Sequence, residues 1–177
     1  YLKKEIKDYR LEKITNELIS SLLMMVRKIS KEDALKKIEQ VLSNGTAAEK
    51  FEKMTSALGG PKNILSTYET DLRNESTARD IFSDKEGWIE KIHTRELGLI
   101  LIELGGGRKQ VSDKINYGVG YDSVISVGEK IDSTKPLLQL HSNPEDDSKE
   151  LEERIKNCFI ISDKEMKKLP QVYEYIN

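Results

Sequence analysis

Arg108 and Lys109 come directly after three consecutive glycines, Gly105–Gly107, and this juxtaposition is the strongest chemical signal in the chain. A glycine run frees the backbone to take positive φ or to approach another surface, and two cations beside exposed amides would suit an anion. The stretch Gly105–Asp122 nevertheless has neither the spacing of a P-loop nor that of a dinucleotide fingerprint. A long turn leaving a buried helix also accounts for it, because glycines punctuate elements. The residues alone leave both readings open. His93 stands near a helix start and could act as a general base. No cysteine, second histidine or carboxylate is fixed beside it in sequence, so it reads as a surface or packed strand-end histidine. Trp88 could stack on a planar ligand, but a lone tryptophan opening a strand reads as packing. Met24 and Met25 also read as packing. Cys158, the one cysteine, lies in Cys158-Phe-Ile-Ile and reads as a small buried hydrophobe. Disulfide frameworks and thiolate metal sites are thereby excluded within one chain, which fits a cytoplasmic protein.

The elements that would position these residues follow from periodicity. Leu11, Ile14, Leu18, Leu22, Met25, Val26 and Ile29 recur at spacings of three and four, which predicts an amphipathic helix with one face toward a core. Ser30 with Asp33 resembles a capping box and opens a second helix through Ala34, Ile38 and Leu42. Asn44-Gly45 stops it. Thr46 with Glu49 forms another capping box for a third helix, which Gly59-Gly60-Pro61 ends. Residues 66–78 read as an extended connection. Ala78–Ser83 and Trp88–His93 read as two strands of a hairpin across Ser83–Gly87. Thr94 is the expected N-cap of a helix that runs down to Gly105. Ser123–Val127, Lys135–His141, Cys158–Ser162 and Gln171–Ile176 read as strands. Between them, Glu145–Lys156 reads as a surface helix with Leu151 and Ile155 inward, and Asp163–Lys168 as a helical turn or loop. Helices first and mixed strands afterwards predict an α+β fold with a helical lead-in.

At 177 residues the chain can bury one good core, or one core plus a helical appendage. A net charge of −2 with 34% charged residues describes solvated faces carrying i,i+4 pairs, and argues against a general nucleic-acid binder. No apolar run approaches the about 18 residues that a bilayer span needs, so no membrane partner is expected. No signal peptide opens the sequence, and neither does a methionine.

The motifs, taken in order, resemble the thymidine and pyrimidine-nucleoside phosphorylases. Thr46-Ala-Ala-Glu-Lys-Phe-Glu-Lys-Met54 with Gly59-Gly60-Pro61 is similar to a helix-and-break of that family. Asp84-Lys-Glu-Gly87, Thr94-Arg95-Glu96-Leu97-Gly98 and Gly105-Gly-Gly-Arg108 continue the likeness. Asp113-Lys-Ile-Asn-Tyr-Gly-Val-Gly120, Val127-Gly-Glu-Lys-Ile-Asp132, Pro136-Leu137 and His141 complete it. The bacterial thymidine phosphorylase branch is the nearest in pattern. The resemblance implies a C-terminal portion of a homodimeric enzyme in which a small α domain faces a larger α/β domain. Such enzymes convert a pyrimidine nucleoside and phosphate to the free base and a pentose 1-phosphate, in nucleoside salvage. It implies residues 1–65 as a helical segment flanking the large domain. Residues 66–177 would be the C-terminal α/β domain, of hammerhead or barrel-sandwich type. The family's Lys-His-Ser-x-Gly-Gly phosphate loop and its base-binding segment have no counterpart here. No catalytic, substrate-binding or metal-binding residue is therefore carried over, no cofactor is implied, and this chain alone is expected to be inactive. Two alternatives accompany this reading. One is a carrier-like module, because Val127-Gly-Glu-Lys-Ile and Lys135-Pro-Leu-Leu resemble a biotinyl or lipoyl hairpin, although Lys130 and Lys135 lack the modification context. The other is a free-standing interaction domain.

Overall fold

The computed structural model describes residues 1–5, 8–72, 76–146, 148–170 and 172–174. They form two compact units, residues 1–73 with 170–177 and residues 74–169. Among the described residues no helix is long and apolar enough to cross a membrane.

The described residues of the first unit form four helices, α1 (Tyr9–Arg27), α2 (Lys31–Ser43), α3 (Thr46–Ala57) and α4 (Ile64–Asp71). Asp8 caps α1 by accepting the Arg10 and Leu11 N–H groups, and Ser30 caps α2 by accepting that of Asp33, as its spacing predicts. Two expectations fail here. Thr46 does not cap α3: Gly45 occupies the cap position with φ 78°, the Thr46 N–H is taken by Asn44 Oδ1, and Glu49 pairs forward with Lys53. Residues 66–78 are not one extended connection, because α4 fills much of that stretch. Its Thr67 hydroxyl bonds back to the Asn63 carbonyl and Glu52 of α3 holds the Leu65 N–H, so polar residues that suggest a linker serve the helix instead.

The third correction concerns α1. Its periodic apolar stripe does not face a core within this unit: Leu18 is 68% exposed, Leu22 59% and Met25 77%. The buried residue is Ser20. α1 is in contact with α2, where Ala34 and Ile38 are buried, and the stripe is left outward.

The second unit contains β1 (Thr77–Ile81), β2 (Gly87–Ile92), α5 (Thr94–Leu101), a π turn (Ile102–Gly106), β3 (Gly120–Asp122), β4 (Lys130–Ile131), β5 (Leu138–Ser142), α6 (Lys149–Lys156) and β6 (Phe159–Ser162). The strands form two antiparallel sheets, β1-β5-β3 and β4-β2-β6. Ile81, Leu138 and Leu140 from one sheet join Ile89, Ile131 and Phe159 from the other, with Leu97 and Ile100 of α5 and Leu151 and Ile155 of α6, in a single apolar cluster. Each such side chain contributes about 1.5–3 kcal/mol on burial. The architecture is α+β, helical first and mixed afterwards.

Several strand expectations change. β1 and β2 are not a hairpin. β1 pairs with β5 from Thr77↔Ser142 to Ile81↔Leu138, whereas β2 pairs with β4 and β6. The Leu137 N–H donates to the Ile81 carbonyl at 2.7 Å, so the chain leaves β1 committed to one sheet and enters the other through Ser83–Glu86. Ser123–Val127 is not a strand; the ladder lies at β3, and Ile125 joins through one bond to the Leu137 carbonyl. Thr94 is the first residue of α5, and the cap position falls to His93 with no side-chain bond. Glu145–Lys156 is a short 3₁₀ turn followed by α6, with Leu151 and Ile155 inward as expected. Val172–Glu174 form no strand, and the rest of the expected Gln171–Ile176 strand lies outside the described residues.

Candidate functional site: the glycine loop and the α5–α6 cleft

The glycine run begins where α5 gives way to the π turn. Gly105 has φ 93°, a conformation that favours glycine, and its carbonyl accepts the Asn116 N–H at 2.8 Å. Gly106 and Gly107 do not share the positive φ. Beyond them the backbone curls so that the N–H groups of Lys109 and Gln110 converge, which is the geometry of an anion nest. That nest is filled. Asp113 Oδ2 accepts both amides, at 3.0 and 2.9 Å, and the Asp113 carbonyl accepts Arg108 Nε at 3.2 Å. Asn116 completes the brace. Its Oδ1 accepts the Gly118 N–H at 2.9 Å, and its Nδ2 donates to Asn143 Oδ1 at 3.0 Å. The loop is thus a turn whose amides are satisfied by its own side chains. Asp113 was not singled out by sequence reasoning. The signal is a carboxylate four residues past a basic residue in a glycine-rich turn, and it points inward to the chain's own amides.

His93 at the cap of α5, with Glu96 and Ile100 within it, lines a cleft of about 250 Å³ together with Arg154 and Asn157 at the end of α6 and with Cys158. The fold brings together His93 and Cys158, which are far apart in sequence, because the His93 N–H bonds the Cys158 carbonyl at 2.8 Å. Cys158 is nevertheless a poor nucleophile. Burial, reinforced by the Glu96 charge, pushes its thiol above the usual range, and the thiol donates to the Arg154 carbonyl at 3.3 Å. Arg154 is engaged by Glu103 at 2.8 Å. A neighbouring hollow of about 330 Å³ is rimmed by Glu103, Glu145, Asp146 and Glu150, a field of the wrong sign for phosphate.

The remaining candidates are placed with structural partners. Trp88 lies opposite Lys130 across β2 and β4, and Lys130 Nζ stands 5.4 Å from the ring centroid, so one face of the indole carries a cation–π contact. Lys135 pairs with Glu129 at 2.6 Å in a tight turn. There Asp132 accepts both the amide and the hydroxyl of Thr134, bonds that hold its carboxyl below the usual range. Among the described residues, no three histidine, cysteine, aspartate or glutamate side chains gather as a metal site.

The sheets, α5, the glycine loop and α6 thus form a framework in which most of the candidate side chains named above have structural partners. Residues 88–162, nearly all of that framework, match the family model of the pyrimidine nucleoside phosphorylase C-terminal domain. Over that stretch the chain is similar to the C-terminal domain of the pyrimidine nucleoside phosphorylases.

Proposed function

We propose that this chain is the C-terminal part of a thymidine phosphorylase, the enzyme that converts thymidine and phosphate to thymine and 2-deoxyribose 1-phosphate. The observation that carries this reading is the family match over residues 88–162. Phosphorolysis needs clustered donors and cations around phosphate and base, aimed at charge that develops in the transition state. The nest that could have supplied such donors here is occupied by Asp113, and this reading assigns the chemistry to other parts of the parent enzyme. In this reading the parent enzyme is a cytoplasmic homodimer. Residues 1–65 are helices flanking its large α/β domain, and residues 66–177 are the C-terminal domain. The outward apolar stripe of α1 supports the flanking role, because such a stripe is built to be covered.

The test is thymine release from thymidine and phosphate, followed by chromatography. The purified 177-residue chain should release none above a no-protein control. Losing one transition-state donor costs about 10²–10³ in rate, and here the whole set would be missing. Joining the chain to its upstream segment should restore phosphate-dependent release. Turnover by the chain alone would overturn this placement and return Arg108, Lys109 or His93 to candidacy. No turnover by the joined protein on any pyrimidine nucleoside would overturn the assignment itself.

A further inference from the structure

The turn between α2 and α3 contains the one Asn-Gly pair in the sequence, Asn44-Gly45. Three features of the fold bear on its chemistry. The Thr46 N–H donates to Asn44 Oδ1 at 3.0 Å, polarising the side-chain carbonyl and standing where negative charge would grow if that carbon were attacked. The adjacent nucleophile, the Gly45 amide, is weakly held, since its bond to the Leu42 carbonyl is 3.4 Å long. Both residues are exposed, and apart from the adjoining Asn44 and Thr46 no heavy atom lies within 4 Å of where a Gly45 side chain would begin, so no other part of the chain shields the approach.

We infer that Asn44-Gly45 is a site of spontaneous covalent modification, deamidation through a succinimide, with water as the only co-reactant. The Gly45 nitrogen loses its proton and bonds to Asn44 Cγ, and the Cγ–Nδ2 bond breaks, releasing ammonia. Water then opens the five-membered imide at either carbonyl. One opening gives aspartate at position 44. The other gives isoaspartate, in which the main chain runs through the former side-chain carbon. The reaction accelerates with pH because the amide attacks as its anion. The other described asparagines in loops or at helix ends are less suited. Asn143 precedes Pro144, which has no amide proton, and Asn63 precedes the branched Ile64. Asn116 is held by Asn143, and the Cys158 amide after Asn157 is bonded to the Ile155 carbonyl at 3.0 Å. The lesion would fall on the α2–α3 connection. Isoaspartate there lengthens the turn by one backbone carbon and displaces the carbonyl that holds the Thr46 amide.

The experiment incubates the folded 177-residue chain, and the same chain unfolded in urea, in mildly alkaline buffer at physiological temperature. Peptide mapping by mass spectrometry follows the conversion of amide to acid at each asparagine. An isoaspartyl methyltransferase serves as the probe for the isomerised product. In the folded chain, position 44 should convert ahead of Asn63, Asn116, Asn143 and Asn157, and Asn44→Gln should remove the methyl-accepting signal. Two results would overturn the inference. One is that another asparagine converts first. The other is that the folded chain keeps its Asn44 amide while the unfolded chain loses it.

Discussion

Within the glycine loop, changes at two positions test steric fit and the bracing of the turn. The sequence suggests positive φ along the whole run, but only Gly105 adopts it. Gly106 is constrained for another reason, since a Cβ there would meet Leu101 Cγ at 2.8 Å and Val119 Cγ2 at 3.0 Å. Gly106→Val should therefore destabilise the chain by overpacking, by about 1–3 kcal/mol in urea titrations. A parent enzyme with this change, normal melting and no turnover would show that the loop has a catalytic role. Asp113→Ala leaves the Lys109 and Gln110 amides without their acceptor, at a cost of about 1 kcal/mol. It should also make trypsin cut faster after Arg108, Lys109 and Lys114. Asp113→Asn keeps an acceptor and should lie between. Equal cleavage of all three proteins would mean that Asp113 does not hold the loop.

Local chemistry made most helices legible in the sequence, the Thr46 and Thr94 caps and α4 excepted, and the strand pairing was misread where a distant partner decides it. Ser30, Gly45 and Gly59 mark helix ends because caps and left-handed residues act within one turn. The pairing of β1 was not readable, since its partner β5 lies more than fifty residues on and Ser83–Gly87 looks like a hairpin loop. The stripe of α1 was read correctly as a pattern and wrongly as a buried face. Leu22→Ser should accordingly change the stability of this chain by no more than about 0.5 kcal/mol, whereas Ile38→Ala should cost about 2–5 kcal/mol. The reverse order in thermal melts would restore the stripe to a core. Charge ties α6 to its neighbours. Glu152 meets Lys156 at 2.9 Å and Arg79 at 3.0 Å, and Lys156 reaches Asp84 at 3.1 Å. The Lys156 bond, with Arg79 second, holds the Glu152 carboxyl below its usual range. A depressed carboxyl stabilises the fold above its unfolded pKa and loses that contribution as pH falls through the folded one. Glu152→Gln should thus melt below the parent at neutral pH, by up to about 1 kcal/mol given its partial exposure. The gap should close on acidification below the ordinary carboxylate range. A pH-independent gap would mean that packing, not charge, is what the substitution removes.

At the scale of the whole chain, apolar burial is unevenly shared, and folding should follow that division. Among the described residues the first unit buries only Ala34, Ile38 and Ile64 of its apolar side chains, whereas the cluster from Ile81 to Phe159 lies wholly in the second. Helices of 8 to 19 residues are marginal in water without packing, so the first unit has little to hold it beyond caps and surface ion pairs. Net stability is a small difference between large terms, and only the second unit buries enough apolar surface to offset the entropy of ordering its chain. A segment from Asn74 to Leu169 expressed alone should therefore melt cooperatively, with dispersed amide resonances. A segment from Tyr1 to Arg73 should lose helicity gradually on heating, with no sharp transition. If the first segment melted cooperatively as well, its helices would have to bury their apolar stripes by self-association. A melting temperature that rises with protein concentration would reveal this. If instead the Asn74–Leu169 segment failed to fold, the two-sheet core would depend on residues outside its own unit, and the division drawn at residues 73 and 74 would be wrong.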